Sequence, residues 1–251
     1  MRTGYLAVWN RNLKVWTKHY QASLIGNLGQ PILFLIAMGI GLKQEVPNIE
    51  GLTYLQFIAP GLVASSVMYS AALETTYNSY TRLTIQRSYE AILATPISVL
   101  QLAAGEILWG ATRGLMAGII MLAALPFFGV IPSWWAIGIL PVMFIEGVFF
   151  AALGLTMTAI ASNYDFFNYF TSLVITPLFL FSGIFFPIKT MSPFIRPLLY
   201  ALPLTQVVLT TRALCYGRIN LILWLYILIT TVLAVITSLI ASVILRRRLI
   251  Q

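Results

Sequence analysis

Six long apolar runs separated by short polar breaks set the rhythm of the chain, at about Ala22–Leu42, Phe57–Ser79, Glu106–Phe128, Trp134–Ile160, Phe166–Phe186 and Leu221–Leu245. A membrane-spanning helix needs about 20 predominantly apolar residues, and each run meets that length. The pattern predicts an all-α polytopic membrane protein with six transmembrane helices, forming a single transmembrane domain over 1–251. Ahead of the first run, Tyr5, Trp9, Leu13, Trp16 and Tyr20 fall within about 80° of a helical wheel, with Arg11, Lys14 and Lys18 nearly opposite. An amphipathic helix over 1–21, lying in the membrane interface, is expected: rings at headgroup level and the basic face toward anionic cytoplasmic lipid. Packing against a partner is compatible with that placement. These residues lack the continuous apolar core of a signal peptide and are read as part of the mature protein.

Two polar breaks carry more information than the rest. The hairpin over 80–98 reads as one short helix, with Leu83, Arg87, Glu90 and Ala94 on a shared face and Pro96 ending it at Thr95. Ser98 and Gln101 then form a capping box that opens the third span. Such a helix serves either as connecting structure or as a docking element for a cytosolic partner. The segment over 187–220 is interrupted by Pro187, Pro193, Pro197 and Pro203. It predicts two short helices, Ser192–Leu202 and Leu204–Tyr216, re-entering the outer leaflet without crossing it.

Charge orients the molecule and excludes several classes. Hydrophobic residues make up 59% and charged residues 9%, against roughly 45–50% and about 25% in soluble domains. A soluble enzyme, a disordered segment and a coiled coil are therefore excluded. The net charge of +8 does not indicate nucleic acid, because the basic residues lie between apolar runs rather than clustering on a solvated face. With a cytoplasmic amino terminus, nine Lys and Arg fall inside, including Arg246–Arg248, and five outside. This bias places both termini in the cytoplasm. Lys189, Arg196, Arg212 and Arg218 are the discordant group, four basic residues with no acid in 187–220. A lone Cys215 and a lone His19 provide neither a disulfide framework nor a His/Cys metal site.

No phosphate loop, dinucleotide fingerprint, zinc-protease helix or nucleophile elbow is present, and Asp165 is the only aspartate. Movement against a gradient would thus need an ion gradient or a separate ATP-hydrolysing subunit. Of the charged residues in the apolar runs, three are candidates at membrane depth: Glu74, Arg113 and Glu146. Glu74 lies 17 residues after Phe57, about 26 Å along the helix, and reads as an acid snorkelling to the inner interface. Arg113 and Glu146 lie 17 residues before and 16 after Val130. They are expected to form an intramembrane ion pair, structural or part of a substrate or proton path. Gly110, Gly114 and Gly118, with Gly147, Ala151 and Gly154, form small-residue stripes suited to packing within the chain. The second run carries Ser65, Ser66, Tyr69, Ser70 and Asn78. The fifth is densely aromatic, with Phe181 and Phe185 near its end and Pro177 positioned to kink it.

The stretches Tyr54-Leu-Gln-Phe-Ile-Ala-Pro-Gly61, Glu90-Ala-Ile-Leu-Ala-Thr-Pro96, Leu180-Phe-Ser-Gly-Ile-Phe-Phe-Pro-Ile188, Ala201-Leu-Pro-Leu-Thr-Gln206 and Arg212 resemble the permease subunits of type-2 ABC exporters. The likeness is strongest to the nodulation lipo-oligosaccharide exporter branch and covers nearly the whole chain. Gln206 departs from the histidine expected in much of that branch, which leaves the cargo open. The resemblance implies a homodimer in the bacterial inner membrane, each copy engaging one cytosolic ABC ATPase. ATP and Mg would bind that partner, and this chain would bind no cofactor itself. Arg82, Arg87, Glu90, Thr95 and Pro96 would couple to the ATPase. Ser66, Tyr69, Ser70, Phe181 and Phe185 would line a path for a lipid, lipo-oligosaccharide or drug. A gradient-driven transporter or channel using Glu146, and a noncatalytic anchoring subunit, are the alternative readings.

Overall fold

The computed structural model of the 251-residue chain describes residues 4–18, 20, 29, 31–37, 41, 48–130 and 132–250. Among these, the backbone is helical apart from turns and one isolated antiparallel bridge between Ile49 and Leu52. Helix α1 covers Gly4–Trp16. Helix α2, Tyr54–Leu73, runs through a π-helical turn, Glu74–Asn78, into α3, Ser79–Thr84. After α4, Ser88–Leu93, come the long α5, Val99–Ala124, and α6, Ile139–Ile160. A broken helix follows: α7, Phe166–Phe170, a second π turn, Thr171–Ile175, and α8, Thr176–Phe181. Short α9, Arg196–Ala201, and α10, Pro203–Cys215, precede α11, Ile222–Ile250.

Four helical runs are long and apolar enough to cross a membrane: Tyr54–Thr84, Val99–Phe128, Trp134–Ile160 and Ile222–Ile250. They correspond to the second, third, fourth and sixth predicted spans. The predicted fifth is helical only over Phe166–Phe181, a shorter apolar run, because Gly183 adopts a positive φ of 76° and turns the chain. Pro177 is the second residue of α8, directly behind the π turn, whose wider bore accommodates a ring that would clash in a regular helix. The first predicted span, Ala22–Leu42, lies largely outside the described residues, of which 31–37 are helical; His19 also lies outside them.

The α2 run is the axis of the bundle, with 83% of its apolar window buried, against 17% for α11 at the periphery. Glycine brings the neighbouring backbones close to it. A Cβ on Gly114 would lie 3.0 Å from the Val67 carbonyl, and one on Gly154 would lie 2.7 Å from the Ala72 carbonyl. Gly147 faces the Ala111 backbone in the same way. Both small-residue stripes are therefore used within the chain.

Helix α1 packs along α5 and buries Val8 and Asn12, with Val8 seated over Gly105. Trp9 and Trp16 meet Trp109 edge to face, at centroid distances of 6.5 and 6.3 Å, and the Trp9 ring N–H donates to Thr112 Oγ1 at 3.0 Å. The central part of the aromatic stripe thus turns toward α5, and the basic residues occupy the outer flank. The chain ends at the same end of the bundle as α1: Arg248 of α11 donates to the carbonyls of Thr158, Ala159 and Ala161 at the end of α6.

Candidate functional site

Where α1, α5 and the α2–α3 junction converge, the structure buries two carboxylates and two guanidinium groups together. Glu74 is only 7% exposed and is not a snorkelling acid. One of its oxygens accepts from Arg82 Nη2 at 2.6 Å and Trp109 Nε1 at 2.7 Å. The other accepts from Asn78 Nδ2 at 2.8 Å and Arg113 Nε at 3.4 Å. Glu106, fully buried, accepts from Asn12 Nδ2 and Ser79 Oγ, each at 2.8 Å, and lies 3.6 Å from Arg82 Nη1. Each charge has an opposite partner, which a buried ionic group requires.

The expected Arg113–Glu146 pair does not form. Arg113 is turned toward Glu74 and over the Trp16 ring, 5.1 Å from its centroid. Glu146 is fully buried, and neither of its oxygens has a hydrogen-bond partner among the described residues. Equal distance from the connecting turn sets a common depth but not a common face, and the Glu74 carboxylate at the start of the π turn captures the guanidinium.

The hairpin is not one helix. Arg87 adopts a left-handed conformation, φ 48°, and separates α3 from α4. Arg82 therefore belongs to the buried cluster, while Arg87, Glu90, Thr95 and Pro96 remain exposed. Between them Tyr89 is buried, and burial together with the Glu106 carboxylate pushes its hydroxyl well above the usual tyrosine range. The capping box of Ser98 and Gln101 is present as expected.

The path residues divide in the same manner. Ser66 and Ser70 are buried and donate to the carbonyls of Leu62 and Arg113. Tyr69 and Phe185 each pack against Phe179, at centroid distances of 5.7 and 5.1 Å, and Phe34 joins this cluster. Phe181, half exposed, instead lines an apolar groove of about 610 Å³ with Pro177, Leu198 and Leu202.

At the opposite end, Pro60 inside α2 has no N–H for the Gln56 carbonyl, and that oxygen accepts from the Tyr216 hydroxyl at 2.8 Å. One turn away on α10, Arg212 donates to the carbonyls of Phe57 at 3.0 Å and Gly183 at 2.8 Å, its guanidinium 3.8 Å from the Phe57 ring centroid. Burial lowers the Arg212 pKa to about 10 and pushes the neighbouring Cys215 thiol up to about 12. The discordant basic group is thereby accounted for. Arg196 binds the carbonyls of Lys189 and Met191, Arg218 binds that of Glu50, and Lys189 pairs with the Glu50 carboxylate. Arg196, Arg212 and Arg218 cap backbone carbonyls, and Lys189 is matched by a carboxylate. Gln206 is buried and joins α10 to α11 through Thr230.

Residues 3–216, which contain the inner cluster, the hairpin and the Pro60–Tyr216 contact, match the family described as ABC-2 type transporter. The chain belongs to this family. It is similar to Nodulation protein J of Rhizobium leguminosarum bv. viciae, 35% identical over 251 residues that cover 99% of this chain and 96% of the relative. Nodulation protein J of Rhizobium meliloti (strain 1021) is 33% identical over 249 residues, 98% and 94% of the two chains. The inner membrane transport permease YadH of Escherichia coli (strain K12) is 26% identical over 206 residues, 80% and 78%. As an ABC-2 transporter chain, the protein is a membrane subunit and not itself an enzyme, and its family implies association with an ABC ATPase. Sequence reading missed four members of this ABC-2 subunit's polar framework, namely Glu106, Trp109, Asn12 and Thr158. Glu106 alone left a signal, as an acid about two turns inside a capped apolar helix.

Proposed function

We propose that the chain is the membrane half of an ATP-driven exporter in the bacterial inner membrane. Two copies form a path for an amphiphilic cargo such as a lipid, lipo-oligosaccharide or drug, and each is seated on one cytosolic ATPase that binds ATP and Mg. The observation that carries this reading is the division of the hairpin. Exposed Arg87, Glu90, Thr95 and Pro96 offer a contact surface, while Arg82, a few residues away, is fixed into the buried cluster. A push on α4 thereby reaches the end of α2 and α5 through ion pairs, and α1 through the Asn12–Glu106 hydrogen bond, rather than through a loose connection. Helix α1, the hairpin and Arg248 lie at one end of the bundle, which supports cytoplasmic termini. Helices α9 and α10 are then re-entrant at the outer end. Tyr69 and Phe185, joined by Phe179, are the favoured path lining, and Ser66 and Ser70 contribute packing.

The test is Glu90→Lys in the complex co-purified with its ATPase. Folding and insertion are expected to be unchanged, while transport per ATP hydrolysed falls at least about ten-fold, equivalent to about 1.4 kcal/mol of lost coupling. Unchanged ATP-driven transport would remove Glu90 from the joint. Failure of any ATP-binding subunit to accompany the chain in several mild detergents would overturn the whole reading.

A further inference from the structure

Arg11 and Lys14 on the flank of α1 turned away from α5, and Lys18 in the turn that follows, succeed one another at three- and four-residue spacing. None of the three forms an ion pair among the described residues. Arg11 reaches only neutral acceptors, Asn12 Oδ1 at 3.0 Å and Ser88 Oγ at 2.8 Å. Two adjoining hollows share Arg11 and Val15. One, of about 600 Å³, is walled by Trp16, Asn78, Gln86 and Trp109; the other, of about 370 Å³, runs along Asn10, Lys14 and Lys18. Glu74 at the floor of the larger hollow is already matched by Arg82 and Arg113, so it does not neutralise the rim. Beside the cations, Val15 and Tyr20 present exposed apolar surface.

A cationic rim, a polar hollow and an adjacent apolar edge, all at the end of spanning helices, match an amphiphile whose head is anionic and lies at headgroup depth. We propose that this site holds the phosphodiester head of an anionic phospholipid from the surrounding membrane. Arg11, Lys14 and Lys18 contact the phosphate, the glycerol enters the larger hollow, and the acyl chains leave beside Val15 and Trp16. The bound head would bridge α1 to the hairpin, since Arg11 already touches Ser88. The site depends on the membrane assignment alone, and neither export nor the ATPase enters the argument.

The experiment places the purified full chain in nanodiscs of phosphatidylcholine mixed with phosphatidylglycerol, then extracts it in mild detergent and counts retained lipids by native mass spectrometry. Phosphatidylglycerol should be enriched about ten-fold over phosphatidylcholine. The enrichment should vanish in Arg11→Gln/Lys14→Gln/Lys18→Gln and persist in Arg246→Gln/Arg247→Gln, which removes exposed charge elsewhere. Should the triple variant fail to fold, the wild-type enrichment must still decline as salt is raised. Equal retention of the two lipids, or enrichment insensitive to salt, overturns the proposal. Displacement of phosphatidylglycerol by inorganic phosphate at comparable concentration would make the site one for soluble phosphate and overturn its assignment to lipid.

Discussion

Glu74 and Glu146 are both shut away from solvent on packed helices, yet one has four donors and the other none among the described residues. The contrast predicts opposite responses to the same chemical change. Glu74→Gln removes the carboxylate that pairs with both Arg82 and Arg113 and should cost about 3 kcal/mol, because removing one partner strands a buried charge. Glu146→Gln should stay within about 1 kcal/mol or stabilise, since no ion pair is lost. Thermal unfolding of both variants in one detergent checks the ranking, and a larger loss for Glu146→Gln would overturn it. The same variant separates the gradient-driven reading, which requires Glu146 for nucleotide-free uptake. The presence of a charged site was legible in the sequence, but its pairing was not. At 100° per residue Glu74 and Arg82 stand about 80° apart, whereas the one-residue insertion of a π turn brings them to within about 20°.

The π turn over Glu74–Asn78 is thus the element on which the inner cluster is built, and α6 sustains it. Thr158 Oγ1 lies 2.7 Å from the Thr75 carbonyl and 3.0 Å from that of Thr76, able to donate to either where the turn widens. Thr158→Val keeps the shape and removes the donor, and should cost about 1–2 kcal/mol. The turn should then relax toward a regular helix and pull Arg82 off Glu74. Hydrogen exchange faster at 74–82 than in the rest of α2 would report this; unchanged exchange there would contradict it. This π turn is not written in any residue type, since it depends on what the facing helix offers. The helix starts were legible because Ser98 and Gln101 satisfy local donors. The break at Arg87 was not, because nothing in Gln-Arg-Ser demands a left-handed residue.

At the scale of the molecule, stability rests on the close approach of α2, α5 and α6. Gly154→Ala would place its Cβ 2.3 Å from Thr75 Oγ1 and 2.7 Å from the Ala72 carbonyl. It should cost about 1–3 kcal/mol by wedging α6 away from α2. Gly129→Ala has open space around it but a φ of 74°, so its smaller expected loss isolates backbone strain; both are measured as shifts in Tm. The long spans and the packing stripes were legible because apolar length and small-residue spacing are local properties. The shortened fifth run was not, because its end is set by contacts with distant α2 and α10. That contact has a consequence for how the chain can change over time. Pro60 leaves an oxygen open that Tyr216 fills, and the same opened turn hosts Arg212. An alanine at Pro60 would supply the missing N–H to the Gln56 carbonyl and evict the Tyr216 hydroxyl, while a neutral residue at Arg212 would leave the carbonyls of Phe57 and Gly183 unanswered. A lineage that abandons Pro60 is thereby freed to abandon the Tyr216 hydroxyl as well, because the oxygen that hydroxyl serves would already be satisfied.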